Sequence, residues 1–312
     1  MRRLAVLLAS MLAAQPLPVR AQQVPDSAFA PDFRATWARG AGPVVAIDAG
    51  HHNFHTADAG FHAFAELLRR DGARVQSRAG EFTRASLDSI DVLVVANALA
   101  ERNLNDWSLP TPSAFTESEI ETLARWIHDG GALLLVADHM PFAGAAADLA
   151  RRLGFEMRNG FAGPASDPTL PFHFRAADGT LRSDLLAEAD GRQGAPPIDS
   201  VTSFMGQALR ALAPDVQPLL VLPDRAVSLE PDIAWEFDES TPRVPVGGWM
   251  QAGLREVGRG RVVVIGEAAM LTAQLAGPER IRVGMNDPAA PQNYMLVLGV
   301  VRWLAGRTPP LG

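Results

Sequence analysis

Four of the seven histidines of this chain fall within the stretch "HHNFHTADAGFH", as His51, His52, His55 and His62, and Asp48 and Asp58 bracket the first three. Imidazoles and carboxylates at this density are the donor types of zinc or manganese. They are equally the groups of metal-free proton transfer. Further along stand "AN" at Asn97, "ADHM" with Asp138 and His139, and "GEAAM" with Glu267. A catalytic zinc needs three protein ligands and one open position for water. In that reading His51, His55 and His139 hold the metal. Asp48, His52, Asp138 and Glu267 supply acid, base or electrostatic chemistry, and Asn97 orients a substrate. The spacing matches no recognised metal signature such as "HExxH". The competing reading of "HHNFH" is a loop whose imidazoles cap helix ends and fill polar hydrogen bonds. Glu267 has its own plain reading, as the cap of a following helix. His62 reads as a surface residue, His128 as a favourable cation at a helix C-terminus, and His173 as structural.

Other chemistries have less support. There is no cysteine, hence no thiolate nucleophile and no disulfide framework. "GxSxG", the Walker loop and "GxGxxG" are missing as well, so no nucleotide cofactor is expected. Trp107, Trp235, Trp249 and Phe172 offer faces on which a sugar ring stacks, though each is individually a common core residue.

These polar residues follow apolar runs that must position them. "PVVAID", "DVLVVAN", "GGALLLVAD" and "GRVVVIGE" are short, continuous and β-branched or leucine-rich, as strands buried on both faces are. "ARVQS" and "VQPLLVL" read as further strands, and so does "DIAWEF". Helices fall between them: one with Phe61, Phe64, Ala65 and Leu68 at helical spacing and Gly72 after it, and one opened by a capping box of Thr116 and Glu119. A small-residue helix spans about 144–153 and a last one about 291–304. Strand–helix alternation of this kind predicts an α/β fold: a doubly wound, mostly parallel sheet with helices on both faces, interrupted by an irregular β-rich insertion between about 160 and 245. Ligands bind such sheets at the carboxyl ends of the strands. Asp48, Asn97, Asp138 and Glu267 all sit at strand carboxyl ends.

The 312 residues are 47% hydrophobic and 20% charged, enough for one large domain with an ample core. Arg2 and Arg3, the apolar "LAVLLASMLAA" and the small-residue site ending at Ala21 have the form of a secretory signal peptide. The expected organisation is a leader over 1–21, a linker or loosely packed arm over 22–42, and one domain over 43–312. No run of about 20 apolar residues remains to span a bilayer. The 28 basic residues, all arginine, face 35 acidic ones. Loss of Arg2, Arg3 and Arg20 with the leader makes the balance more negative. An acidic chain without a basic run is a poor partner for nucleic acid.

The segments "DAGHHNFHT", "DGARV", "LVVANAL", "FTESEIETLARWIHDGGALLLVADHMPFAGAAADLARRLG", "GRVVVIGEAAMLTAQ" and "GMNDPAAPQN" together resemble an exported bacterial branch of the class I glutamine amidotransferase-like superfamily, one whose function is not assigned. The resemblance runs over about residues 43–305. It implies a flavodoxin-like sheet and adds Asn286 and Asn293 to the substrate-binding candidates. The sequence departs from that superfamily where its true amidotransferases carry a catalytic cysteine: the turn after "LLLVA" holds Asp138, His139 and Met140. Thiol-dependent glutamine hydrolysis is excluded. Related cysteine-free branches resemble sugar-processing or sugar-binding modules, which implies a carbohydrate-like ligand.

Two readings follow. One is an exported hydrolase, periplasmic or secreted, with or without a divalent metal, acting on a small polar or carbohydrate-like substrate at the strand carboxyl-end edge. The other is a non-catalytic periplasmic module that binds a glycan or a protein. A metal-binding carrier is a weaker third.

Overall fold

Strands without a polar face must be covered on both sides, and this requirement organises the molecule. The structure is a computed structural model that describes residues 23–187 and 197–306; the expected signal peptide lies outside the described residues. Nine strands form the main sheet: β1 (Val44–Asp48), β2 (Arg74–Arg78), β3 (Val92–Ala96), β4 (Ala132–Val136), β5 (Phe155–Met157), β6 (Leu209–Ala211), β7 (Gln217–Val221), β8 (Met250–Val257) and β9 (Gly260–Ile265). The strand order is β2-β1-β3-β4-β9-β8-β6-β5, with β7 also paired to β8. The five strands from β2 to β9 run parallel, and the pairings of β8 with β9, β7 and β6 are antiparallel. This is a mixed α/β fold.

Alternate residues of the buried strands enter opposite cores. Val45, Ile47, Val92, Val94, Leu134 and Val136 face α1 (His62–Arg70) and the last long helix. Ala46, Leu93, Val95, Leu133 and Leu135 face the helices α2 (Glu117–His128) and α3 (Phe142–Arg152). That last helix is α4 (Asn293–Leu304), nearly all of it buried. The capping box read from Thr116 and Glu119 is present at α2, with the Thr116 hydroxyl accepting the Glu119 N–H and the Glu119 carboxylate accepting the Thr116 N–H. Thr116→Ala is therefore expected to cost about 1 kcal/mol, read as a lower urea midpoint with an unchanged slope.

The region expected to be an irregular insertion supplies β6 and β7 to the main sheet and also forms small sheets. Phe161–Pro164, Ala226–Leu229 and Arg243–Pro245 form one; Phe172–Arg175 and Ser200–Ser203 form another. Residues 23–42, expected as a linker or loose arm, are tied to the domain. Gln23–Pro25 pairs antiparallel with Ala273–Ala276. The Thr36 N–H donates to Asp71, whose carboxylate also takes two hydrogen bonds from the buried Arg302 guanidinium, at 2.8 and 2.9 Å. Among the described residues no helix is long and apolar enough to cross a membrane.

Candidate active site

Because β3, β4 and β9 are neighbours in the sheet, the residues just past their carboxyl ends meet. Asn97 follows β3 in the left-handed region (φ 56°), which a short amide side chain tolerates better than most. That backbone turns its Oδ1 to accept the Asp138 N–H at 2.9 Å, beyond the end of β4. The Asp138 Oδ1 in turn accepts the His139 N–H at 2.8 Å. A carbonyl only accepts, so the His139 Nδ1, 2.6 Å from the Met140 oxygen, carries a proton. Glu267, beyond β9, is fully buried, and its two oxygens accept the N–H groups of Ala269 and Met270 at 2.7 and 2.8 Å. It thus caps the short turn Ala269–Leu271, as the plain reading expected.

It does more than cap. Burial and the neighbouring Asp138 carboxylate push Glu267 well above the ordinary carboxylate range. Burial also raises Asp138, against the opposing influence of His139. Two buried carboxyls that repel each other hold a proton that water-exposed ones would lose.

Asp138, Glu267, Asn97, His139 and His55 line one cavity of about 780 Å³. Its walls are aromatic: Phe54, Trp107, Phe142 and Trp235. His139 stacks on Phe161 at 4.4 Å and meets the edge of Trp235 at 4.6 Å. "DIAWEF", expected as a strand, is instead a turn. It makes only an isolated bridge from Ile233 to Ser108 and is fastened by hydrogen bonds from Leu109 to Asp232 and from Ala234 to Trp107. Trp235 within it has φ 72°, a genuine outlier for a bulky residue, and half of its surface is exposed at the mouth. The strand expectation fails because "DIAWEF" pairs only through the single bridge at Ile233; its Trp235 lines the cavity and its Phe237 meets the Phe161 ring. Of the four aromatics considered for sugar stacking, Trp107 and Trp235 line the cavity. Trp249 lies under the Arg210 guanidinium and Phe172 lies in the core. Phe54 and Gln274 line the cavity too, and neither carries a sequence signal of its own.

His55 is buried and stacked on Phe61 at 5.1 Å. Burial lowers its pKa to about 4, so the ring is neutral. Its Nδ1 has no hydrogen-bond partner and faces Gly60, where a Cβ would stand 2.0 Å from it. Only glycine fits there.

The remaining candidates lie elsewhere. Asp48 and His51 belong to a separate buried network. His51 Nδ1 contacts Asp48 at 2.7 Å and its Nε2 contacts Glu119 at 2.9 Å. Burial opposes a charged ring, but the bonds and charges of Asp48 and Glu119 outweigh it and raise the His51 pKa. Burial acts on Glu119 in the opposite sense from its hydrogen bonds, which come from Thr116, His51 and Phe82 and hold it at about 2. His52 is exposed, at φ 49°, and does not line the cavity. Asn293 is fully buried, exchanging hydrogen bonds with Thr202 and donating to the Met270 carbonyl. Asn286 ties Asp26 to the Gln274 carbonyl. These two asparagines stitch the fold and do not line the cavity.

The expected metal ligands His51, His55 and His139 are not brought together. Both His51 nitrogens are engaged, and among the described residues no three histidine, aspartate or glutamate side chains stand at metal-binding spacing. These three histidines therefore do not form a metal site. At the opposite edge of the sheet an open groove of about 680 Å³ holds Arg84 among Asp88 and Asp129, which neutralise it.

No protein-family model matches the chain, and no curated protein matches it. Solved structures do. The mmIFT52 N-terminal domain aligns with a TM-score of 0.56 at 14% identity, over 86% of this chain and 99% of that one. A ThuA-like protein from Bacteroides uniformis aligns with a TM-score of 0.48 at 13% identity, over 88% and 95%. A GMP synthase-type protein from Thermoplasma acidophilum aligns with a TM-score of 0.37 at 12% identity, over 85% and 98%. The first of these likenesses shows the fold, and the fold alone.

Proposed function

We propose that the chain is a hydrolase-type enzyme working by acid–base chemistry at the Asp138–Glu267 pair, on a small polar or carbohydrate-like substrate held against Trp107 and Trp235. The observation that carries this reading is the convergence of two buried carboxyls, both raised and Glu267 in part by Asp138, with the His139 imidazole on one aromatic-walled cavity. Such a pair divides naturally into a protonated and an ionised member. The protonated carboxyl gives its proton to the departing oxygen as that bond breaks. Water forms the new bond, and the ionised carboxyl or His139 Nε2 takes the water's proton. Asn97 positions Asp138 through the backbone bond already described. The same reading puts this chemistry on a doubly wound, flavodoxin-like core of the glutamine amidotransferase-like kind; the parallel order β2-β1-β3-β4-β9 supports it. Export to the periplasm or outside the cell is part of the proposal. It rests on residues 1–21 and is checked by N-terminal sequencing for processing after Ala21.

The test is a turnover screen with chromogenic glycosides and esters, run in parallel on the wild type and Asp138→Asn. Turnover that vanishes in the variant supports the enzyme. Turnover that survives sinks the assignment. Saturable sugar binding without turnover favours the non-catalytic glycan-binding module, which the exposed aromatic rim of Phe54 and Trp235 would equally serve.

A further inference from the structure

The charge of the side chains lining the cavity is one-sided. Its carboxyl groups are Asp138 and Glu267; among the described residues no arginine lines it, and the chain contains no lysine. Acceptors crowd it further. Gln274, buried and lining the same cavity, has a side-chain oxygen without a partner. His55 adds a neutral ring. Anions are therefore repelled. A neutral polyol offers hydroxyls but brings no charge to a cavity that holds two buried carboxyls and no arginine. A cation answers both demands, and aromatic walls attract cations through their ring faces.

We propose that the cavity selects an organic cation, with an ammonium group held at the Asp138–Glu267 pair and enclosed by Trp107 and Trp235. The proposal rests on the cavity being the functional site, and it narrows the substrate class from polar to amine-bearing. Quaternary amines and amino sugars share this chemistry.

The experiment is calorimetric titration of the full chain with two matched pairs: choline against its neutral carbon isostere 3,3-dimethylbutan-1-ol, and D-glucosamine against D-glucose. The charged member of at least one pair is expected to bind about tenfold or more tightly than its neutral partner. Which pair discriminates distinguishes a quaternary from a primary ammonium ligand. Asp138→Asn should erase the preference. Trp235→Ala, at a half-exposed position and with its fold checked by circular dichroism, should weaken the cation several-fold. Equal affinity within both pairs, or no binding of either cation, overturns the inference. If glucose binds as well as glucosamine and Trp235→Ala weakens both, the cavity remains the binding site and only the charge selectivity falls.

Discussion

Replacing His51 by alanine is expected to lower the unfolding free energy by about 3–5 kcal/mol, the cost of stranding buried charges that have lost their partner. Asp48 and Glu119, both nearly inaccessible, would face each other across the gap. The pH dependence identifies the mechanism. The folded-state pKa of His51 is raised above 6.5. Its stabilisation is therefore complete below 6.5 and is lost as pH rises through the raised value. Glu119 is held at about 2, against 4.5 when free. Its contribution is present above 4.5 and disappears as pH falls towards 2. Stability from this network should peak between 4.5 and 6.5, and His51→Ala should remove the fall on the alkaline side. Urea denaturation from below 4.5 to above 6.5 measures both limbs. A loss below about 1 kcal/mol, or an unchanged alkaline limb, would show that the network holds no charged imidazole.

Glu267→Gln and Asp138→Asn are expected to act in the opposite sense on stability while removing function. Folding raises both carboxyls, so as pH climbs past the ordinary carboxylate range the unfolded chain releases protons that the folded chain still holds. Stability contributed by the pair is therefore greatest at low pH and falls as pH rises towards the raised values. Neutral amides lack this penalty, and each variant should gain more stability at mildly alkaline than at acidic pH. Sites kept for activity commonly show such a gain. Turnover on any substrate found should fall by at least about 100-fold. A Glu267→Gln protein destabilised at every pH would reduce Glu267 to the cap of the Ala269–Leu271 turn, and the catalytic assignment would fail with it.

Much of this molecule is legible along the chain. Val44–Asp48, Val92–Ala96, Ala132–Val136 and Gly260–Ile265 announce themselves because a strand buried on both faces needs no polar residue. The capping box at Thr116 is a contact across three residues, so sequence contains it. Local rules also place Asn97, Asp138 and Glu267 at strand carboxyl ends. What no local rule states is which strand ends are neighbours. The pairing of β9 with β4 joins residues far apart along the chain and puts Glu267 beside Asp138. His51 shares its short run with His55, yet packs onto Glu119 and away from the cavity. These two imidazoles, four residues apart, thus have unrelated fates, one raised between carboxylates and one held neutral by burial. Trp235 joins the site only because a turn far along the chain docks on residues 107–109. Residue types and periodicity determined the elements and their polar ends, because those are effects of adjacent groups. Long-range pairing alone decided which charged groups are neighbours, which share a wall and which merely hold the fold, because charge coupling and burial depend on distance in space.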